Sequence, residues 1–237
     1  MIVQADAKAL EWVVGAYLSR DKIAYQEIID KVDQHTLNQN AFGLPSRLIA
    51  KKFVFRLMYG GSAYSYANDP DFTGVSTSVK YWQDVIDAFY NKYTGLRDWH
   101  TKIVQEAMST GQLVMPTGRI YKFEHKRNFR NELEAPETII KNYPVQGLGA
   151  DLMSIARVSF YKRFKNANIN GVLVNTVHDS IVVDCESKER ESVARLFHSV
   201  FVDIPANFKR LFGVDFNLPL NCEVSTGPNQ KELVVYS

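Results

Sequence analysis

The sequence predicts an α+β fold in which both ends of the chain build one antiparallel sheet and a helical insertion lies between them. Three observations support this prediction. Short apolar runs typical of strands occur at residues 2–5, 171–177 and 180–185. Apolar side chains between residues 10 and 165 mostly recur at helical spacing. The 237 residues are 46% hydrophobic and 12% aromatic, which suffices for a sizeable core.

The first half of the chain contains one strand followed by helices. Pro45 suits the first turn of a helix, and the pair Gly60-Gly61 suits its end. In order, the pattern predicts a strand at 2–5, helices from residue 10, over 22–42 and from 45 to 59, a loop at 62–75, and long helices over 76–110.

The second half of the chain returns to strands. The segment Pro116-Thr-Gly118 predicts the turn of a hairpin, and Ser187 is a suitable helix N-cap. In order, we expect a hairpin over 113–123, a helix over 137–165 with Pro144 near its start, a β-hairpin of 171–177 and 180–185, a helix over 187–212, and a last strand at 216–225.

Charge and cysteine content limit the class of protein. The net charge of +2 is small, but basic residues gather at 119–130 and 157–165, where they form either a phosphate-tracking groove or two solvated faces. Cys185 and Cys222 have no metal-ligand spacing and give no disulfide framework. No apolar run is long enough to span a bilayer. We therefore expect a cytoplasmic protein that is neither secreted nor membrane-bound.

Two aspartates are the candidate metal ligands. Asp6 and Asp179 each follow an apolar run. A single aspartate after a strand is usually a turn or cap residue. Asp179, however, shares a two-residue turn with His178, where Asn-Gly or Asp-Gly is the common choice. If the two carboxylates meet across adjoining strands, they can hold two divalent cations, and Mg²⁺ prefers such oxygen ligands. For that reason we interpret His35 and His178 as phosphate or hydroxyl contacts.

A second group of candidate residues recurs at intervals of four. Arg47, Lys51, Phe55 and Tyr59 form a slowly winding stripe on one helix, with cations in its first half and rings in its second. A triphosphate fits the cationic half, and a sugar or base fits the rings. The alternative is an ordinary amphipathic helix with cations in solvent and rings in the core. Asp6 and Asp179 on the flanks favour the triphosphate.

In these motifs the chain resembles the family A DNA polymerases, which include the bacterial polymerase I-like and T7 phage-like enzymes. Residues 5–11 are similar to the family's first motif. The stripe from Arg47 to Gly60 matches the fingers helix, and Val177-His178-Asp179-Ser180 resembles the third motif. Supporting matches occur at residues 33–35, 117–119 and 142–151.

The resemblance implies a role for each matching residue. Asp6, Asp179 and the Ala7 carbonyl would hold two Mg²⁺ ions, with Mn²⁺ as the alternative. Lys51 would also protonate the leaving pyrophosphate, so the implied catalytic residues are Asp6, Asp179 and Lys51. The implied nucleotide contacts are His35, Arg47, Lys51, Phe55, Tyr59 and, against a 2′-hydroxyl, Glu11. The implied primer–template contacts are Arg119, Asn142, Gln146 and His178.

The resemblance also implies an architecture and partners. The fold would be a right-hand polymerase palm (1–18 and 119–237) with a mostly helical fingers insertion (19–118), without thumb or exonuclease domains. Such a chain would add dNTPs to the 3′-hydroxyl of a DNA primer–template. We expect a second polypeptide to supply the thumb and the remaining palm, as in a split, phage-like replicase, and the first strand to lack sheet neighbours.

Two departures from the family pattern leave alternatives open. Ser180 stands where the family usually has Glu, and Thr138 where many members have Arg. A turn like His178-Asp179-Ser180 also resembles single-subunit phage-type RNA polymerases, whereas Glu11 and Phe55 favour deoxynucleotides. The third reading is a non-catalytic nucleic-acid-binding remnant that kept the fold and lost its metals. Both aspartates and Lys51 are present, which favours an active enzyme.

Overall fold

The computed structural model describes residues 1–124 and 136–236, together with the backbone of 126–127 and 133–134. The chain folds as two compact units, one formed by Met1–Val14 with Gln146–Ser237 and the other by Gly15–Val145. The predicted α+β class is confirmed.

The helices and strands follow in chain order. The helices are α1 (Leu10–Ser19), α2 (Lys22–Ile29), α3 (Gln34–Ala41), α4 (Arg47–Met58), α5 (Ala63–Ala67), α6 (Pro70–Thr73), α7 (Val79–Lys92), α8 (Thr94–Thr110), α9 (Glu137–Asn166), α10 (Arg190–Val202) and α11 (Ile204–Phe212), with a 3₁₀ turn at Ser187–Glu189. The strands are β1 (Ile2–Ala7), β2 (Gln112–Val114), β3 (Ile120–Lys122), β4 (Lys126–Arg127), β5 (Leu133–Glu134), β6 (Gly171–Val177), β7 (Ser180–Cys185), β8 (Cys222–Gly227) and β9 (Val234–Val235).

The unit formed by the two ends of the chain is built on a five-stranded sheet in the order β6-β7-β1-β8-β9. Strand β1 lies at its centre and pairs antiparallel with both β7 and β8. The expectation that the first strand lacks sheet neighbours is therefore wrong, because strands from the C-terminal half flank it on both sides.

The two faces of β1 have different surroundings. Val3, Ala5 and Ala7 are buried, whereas Gln4 and Asp6 on the opposite face are partly exposed. Helix α10 packs against β1 and β8. Because every second side chain of β1 is buried, the strand is held in the core. Gln4 and Asp6 therefore lie on the other face of the sheet.

The last long strand begins later than predicted. The alternation of buried Phe216, Leu218 and Leu220 imitates a strand, but the pairing with β1 starts only at Cys222. Pro219 has no N–H to donate to a sheet ladder, which disfavours a strand there. The helix predicted over 187–212 is also divided, because α10 ends at Val202 and Pro205 lies in the first turn of α11.

The middle unit packs aromatic side chains between its helices. The Tyr66 ring lies 5.1 Å from that of Phe53 and 5.2 Å from that of Trp82, and its hydroxyl donates to the Phe53 carbonyl at 2.8 Å. The loop predicted at 62–75 instead contains α5 and α6. Ser62 and Asp69, residue types common in turns, serve as N-caps of these two short helices.

Other predicted elements are present. Strands β2 and β3 form the hairpin expected around Pro116-Thr-Gly118, and α9 runs through Pro144 as one helix. The strands β6 and β7 form the hairpin that carries His178 and Asp179. In the part of the chain that the structure describes, no helix has both the length and the apolar character needed to cross a membrane.

Candidate functional site

The structure brings Asp6 and Asp179 together at one end of two paired strands. Asp6 pairs with Ser180 in the β1–β7 ladder. The next residue, Ala7, donates its backbone N–H to the Asp179 carbonyl at 2.9 Å. The ladder pair and this hydrogen bond fix the two strand ends against each other. Asp6 and Asp179, which are 173 positions apart in sequence, therefore lie at the same edge of the sheet.

The surroundings of Asp6 disfavour its negative charge. Burial is the largest cause and raises the pKa of the Asp6 carboxyl above its ordinary value of 3.8. A hydrogen bond from Gln4 acts in the opposite direction, while the charges of Asp179 and Glu223 raise the pKa further. A carboxylate with two acidic neighbours is a place where a bound cation relieves repulsion.

Sequence reasoning missed two residues beside Asp6. Gln4 donates its side-chain amide to both Asp6 carboxylate oxygens, at 3.2 and 3.0 Å. Glu223 pairs with Asp6 in the β1–β8 ladder, and its carboxylate lies 3.7 Å from Lys8 Nζ. Strand periodicity could have indicated Gln4, which is two residues before Asp6. Only the sheet pairing could indicate Glu223.

The turn that carries Asp179 has a strained backbone. His178 adopts a positive φ of 50° at the first position of the two-residue turn, a backbone conformation that few residues other than glycine, asparagine and aspartate adopt readily. Ser180 is 5% exposed, and its hydroxyl donates to the Val177 carbonyl at 3.0 Å. The residue that departs from the family pattern therefore closes the turn.

The oxygen atoms at this edge suit a hard divalent cation. The candidate ligands are two carboxylates and the Ala7 carbonyl, and Mg²⁺ and Mn²⁺ both accept oxygen donors. Asp179 and Glu223 both lie near Asp6, and this gathering of negative charge at the strand ends fits a cation. Within residues 1–124 and 136–236, no three side chains of His, Cys, Asp or Glu are grouped to hold a metal. A set of two carboxylates and one carbonyl would leave several coordination positions to water and substrate, as Mg²⁺ commonly requires.

The second group of candidate residues lies in the middle unit, where α3 and α4 pack together. Asp33 is the N-cap of α3 and accepts hydrogen bonds from the backbone N–H groups of His35 and Thr36. The same carboxylate accepts from Arg47 Nε at 2.6 Å and from Arg47 Nη2 at 3.2 Å. This two-point contact fixes the plane of the guanidinium at the start of α4.

His35, Lys51 and Phe55 lie beside this pair. The His35 and Phe55 ring centroids are 6.0 Å apart, and Lys51 Nζ is 5.8 Å from the Phe55 centroid. His35 is 7% exposed, and burial, with the charges of Arg47 and Lys51, lowers its pKa to about 4 against the opposing charge of Asp33. Its imidazole is therefore neutral at pH 7, and Nδ1 has no hydrogen-bond partner among the described residues.

Lys51 differs from the other cations of α4. Arg47 pairs with Asp33, Lys52 with Asp71 at 2.7 Å, and Arg56 with Asp69. Lys51 is exposed and makes no ion pair with any residue that the structure describes. An ammonium group without a carboxylate partner remains available to an anionic ligand.

The end of α4 depends on a glycine. Tyr59 is the C-cap of the helix, and Gly60 follows with a φ of 82°. A Cβ on Gly60 would lie 3.1 Å from Thr138 Cα, so both backbone conformation and space require glycine here. The glycine after Tyr59 is therefore explained by the backbone alone, without reference to a ligand.

The remaining candidate residues are distributed over both units. Glu11 lies in the first turn of α1 and His178 is exposed in its turn, both in the unit that holds Asp6. Gln146 is exposed on α9. In the middle unit, Arg119 is exposed beside the β2–β3 turn, and Asn142 Oδ1 is buried with no hydrogen-bond partner among the described residues. Part of the basic run 119–130, at 125 and 128–130, lies outside the described residues.

Comparison with known proteins identifies the family. The model of "DNA polymerase family A" matches residues 1–232. DNA polymerase I of Aquifex aeolicus (strain VF5) is 31% identical over 151 residues, which is 63% of this chain and 25% of that protein. The thermostable DNA polymerase I of Thermus aquaticus is 26% identical over 236 residues, which is 96% of this chain and 26% of that protein.

A solved structure with the same fold is described as the "POL domain of Pol1 from M. smegmatis complex with DNA primer-template and dNTP". Its TM-score is 0.78 at 22% identity, and the match covers 95% of this chain and 39% of that one. The chain spans about a quarter of the length of the two curated relatives. The ordered motifs and the family match over nearly all residues lead to one conclusion, that this chain belongs to the family A DNA polymerases.

Proposed function

We propose that this chain carries the palm (1–18 and 119–237) and fingers (19–118) of a template-directed DNA polymerase, which joins dNTPs to a primer 3′-hydroxyl. The observation that supports this best is the meeting of Asp6 and Asp179 at the ends of β1 and β7. The related M. smegmatis domain is described with primer–template and dNTP, and we assign the same ligand classes to this chain.

Asp6, Asp179 and the Ala7 carbonyl would hold the metal ions. Two bound Mg²⁺ ions, or Mn²⁺ in their place, supply the positive charge that activates a primer hydroxyl and stabilises a leaving pyrophosphate. Gln4 orients the Asp6 carboxylate through its two hydrogen bonds. The paired strands hold the backbone of both aspartates, so the ligands need little reorganisation.

The cations of α4 and His35 would bind the triphosphate. Arg47 is held by Asp33 on its Nε and Nη2 edge, which leaves Nη1 directed away from that contact to meet a phosphate. Neutral His35 would contribute a hydrogen bond without adding charge. Lys51, which has no ion pair among the described residues, would bind the phosphates and pass its proton to the leaving pyrophosphate.

The other contacts follow the same family pattern. Phe55 would pack on the sugar, Glu11 would exclude a 2′-hydroxyl, and Tyr59 would lie near the templating base. Arg119, Asn142, Gln146 and His178 would contact primer and template. The unpartnered Oδ1 of Asn142 supports such a role, because a buried polar atom without a hydrogen bond costs stability unless a ligand satisfies it.

We also propose that a separate polypeptide supplies the thumb and the rest of the palm. This chain matches 39% of the solved polymerase domain. The strand β6 lies at a sheet edge and exposes the apolar side chains of Val172, Val174 and Val177. Such a surface is suited to a protein partner. Co-elution of the chain with a candidate thumb polypeptide in size exclusion would support the split arrangement, and processive synthesis by this chain alone would refute it.

The deciding experiment for the function is primer extension on a DNA primer–template with Mg²⁺. It is run with dNTPs or rNTPs, and with or without candidate partner chains. We expect extension with dNTPs that stops when EDTA removes the metal. Absence of extension under every combination would leave a non-catalytic remnant as the correct reading.

One observation favours a second candidate function. Ser180 follows His178 and Asp179, and this order of residues resembles the turn of phage-type RNA polymerases. Glu11 and Phe55 oppose this reading, because a carboxylate and a ring beside the sugar disfavour a ribose. Preference for rNTPs in the same extension experiment would establish RNA synthesis instead.

A further inference from the structure

The second half of α9 carries a surface that the proposed polymerase site does not use. Residues 152–166 contain no Asp or Glu. Leu152, Ala156, Phe160 and Phe164 of this segment are buried, and the Phe160 ring stacks on Phe197 of α10 at 4.1 Å. The opposite face is exposed and consists of Ser154, Arg157, Val158, Tyr161, Lys162 and Lys165. We call these six residues the α9 stripe.

The cations of the α9 stripe are not neutralised by neighbours. Arg163 of the same helix donates to Ser199 of α10 and pairs with Asp203 at 2.6 Å. Arg157, Lys162 and Lys165 make no ion pair with any described residue. Other exposed cations of the same unit do have acidic partners, among them Lys188 with Glu186, Arg195 with Glu191 and Lys209 with Asp215. The stripe is therefore a concentrated positive charge and not a set of solvated ion pairs.

Exposed rings and apolar atoms lie among these cations. Tyr161 is 51% exposed and Val158 is 49% exposed. Lys165 Nζ lies 5.7 Å from the centre of the Tyr161 ring. A cation over an exposed aromatic ring can bind a phosphate while the exposed part of the ring stacks on the attached base. The stripe extends about 16 Å along the helix, enough for a few nucleotides.

We propose that the α9 stripe is a binding surface for single-stranded nucleic acid, formed by residues other than the proposed primer–template contacts Asn142 and Gln146 of the same helix. An unpaired strand presents both phosphates and free base faces, and the stripe offers a partner for each. An acidic peptide would use the three cations but would gain little from Tyr161. A duplex would offer phosphates but keep its bases stacked. The exposed ring is thus the feature that selects the single strand.

The test measures binding of the full chain to a fluorescein-labelled oligo(dT) by fluorescence anisotropy in EDTA. Without metal, the outcome does not depend on nucleotidyl transfer, so failure of this inference and failure of the proposed function are distinguishable. The triple variant Arg157→Gln/Lys162→Gln/Lys165→Gln should bind at least about tenfold more weakly. Its slope of log affinity against log salt should be smaller by about 2.

The matched control is Lys188→Gln/Arg195→Gln/Lys209→Gln, which removes the same charge from cations that already have acidic partners. It should change affinity less than about threefold, since exposed pairs contribute little. Equal losses in both triple variants would show that only net charge matters and would overturn the inference.

Tyr161 provides the second readout. Tyr161→Ala should weaken oligo(dT) binding about tenfold, whereas Tyr161→Phe, which keeps the ring, should bind like the wild type. An oligonucleotide carrying 5-iodouracil should crosslink to the peptide that contains Tyr161. Wild-type affinity in Tyr161→Ala, or displacement of oligo(dT) by polyglutamate as efficient as by unlabelled oligo(dT), would overturn the proposal.

Discussion

The backbone N–H of Ala7 donates to the carbonyl of Asp179 across 2.9 Å. This bond continues the β1–β7 ladder by one step beyond the pair of Asp6 with Ser180. It therefore sets the stagger of the two strand ends. The position of one candidate metal ligand relative to the other is thus fixed by the main chain, before any side chain or ion contributes.

Replacement of Asp179 tests the metal role. Asp179→Ala should lower the rate of primer extension about a thousandfold, equivalent to ~4 kcal/mol in the barrier, because one of two carboxylate ligands is lost. The control is Asp184→Asn on β7, the strand that follows Asp179, where the carboxylate pairs with the N-terminal ammonium at 3.1 Å. Single-turnover extension measures both. An Asp179→Ala variant with a tenth of wild-type activity would remove this residue from the metal site.

The raised pKa of Asp6 predicts how the effect of an Asp6→Asn substitution on stability depends on pH. A carboxyl whose pKa rises on folding costs stability above that pKa, since the folded state holds the proton more tightly than the unfolded chain. Stability therefore falls as the pH rises from 3.8 through the raised pKa. Asp6→Asn should raise the Tm at about pH 7 and change it less at about pH 4.

Thermal unfolding without metal measures this effect, and Asp84→Asn, in an exposed pair with Lys80 on α7, serves as its control. Mg²⁺ should then raise the Tm of the wild type more than that of Asp6→Asn. If Asp6→Asn instead has a lower Tm than the wild type at neutral pH, the hydrogen bond from Gln4 stabilises the Asp6 carboxylate more than burial and the two acidic neighbours destabilise it.

The contact of Asp33 with Arg47 predicts a positioning role for Asp33. Asp33→Asn keeps a residue that can cap α3 but loses the charged two-point contact. We expect the KM for dNTP to rise up to about fivefold with little change in kcat, because an exposed pair of this kind contributes up to ~1 kcal/mol. Steady-state kinetics measure both constants.

Asp69→Asn is a close control for Asp33→Asn, because Asp69 also caps a helix, α6, and also pairs with an arginine of α4, Arg56. It should leave the KM unchanged. A lower KM in Asp33→Asn would mean that the carboxylate competes with the triphosphate for Arg47.

The assignment of Phe55 to the sugar predicts a change in nucleotide selection. Phe55→Tyr should reduce discrimination against dideoxynucleotides by about tenfold or more, because the added phenol replaces a hydrogen bond that the missing 3′-hydroxyl would make. The ratio of kcat/KM for dNTP and ddNTP measures it. Phe42→Tyr, at the C-cap of α3, should not alter the ratio. Unchanged selection in Phe55→Tyr would place Phe55 away from the sugar.

Replacement of Gly60 by alanine should lower the free energy of unfolding for two reasons that can be measured separately. Gly43 has a φ of 63° and open space around it, so Gly43→Ala measures the backbone cost alone, about 1 kcal/mol. Gly60→Ala adds the close approach to Thr138 and should cost about 2 kcal/mol or more. Urea unfolding compares the two variants. Equal losses would show that the start of α9 moves away without cost.

Local patterns in the sequence predicted a large part of this fold. The hairpin of β6 and β7, the end of α4 before Gly60 and the helices α7 and α8 were all evident from apolar spacing and from Gly. The predicted start of α4 at Pro45 was wrong, because the helix begins at Arg47 after its N-cap Ser46. The same patterns misled at 62–75, where Ser62 and Asp69 cap short helices that packing of Tyr66 and Phe72 stabilises. Residue types that favour turns also favour caps, and only tertiary contacts distinguish the two.

The sequence by itself determined which residues carry charge and rings, and at which helical or strand spacing, because spacing follows from local backbone geometry. Tertiary structure alone decided that β1 is central, that Gln4 and Glu223 flank Asp6, and that Asp33 holds Arg47 while Lys51 has no acidic partner among the described residues. Those relationships depend on strand register and helix packing between distant segments. Such pairings are set by burial of the whole core and leave no local signal in the chain.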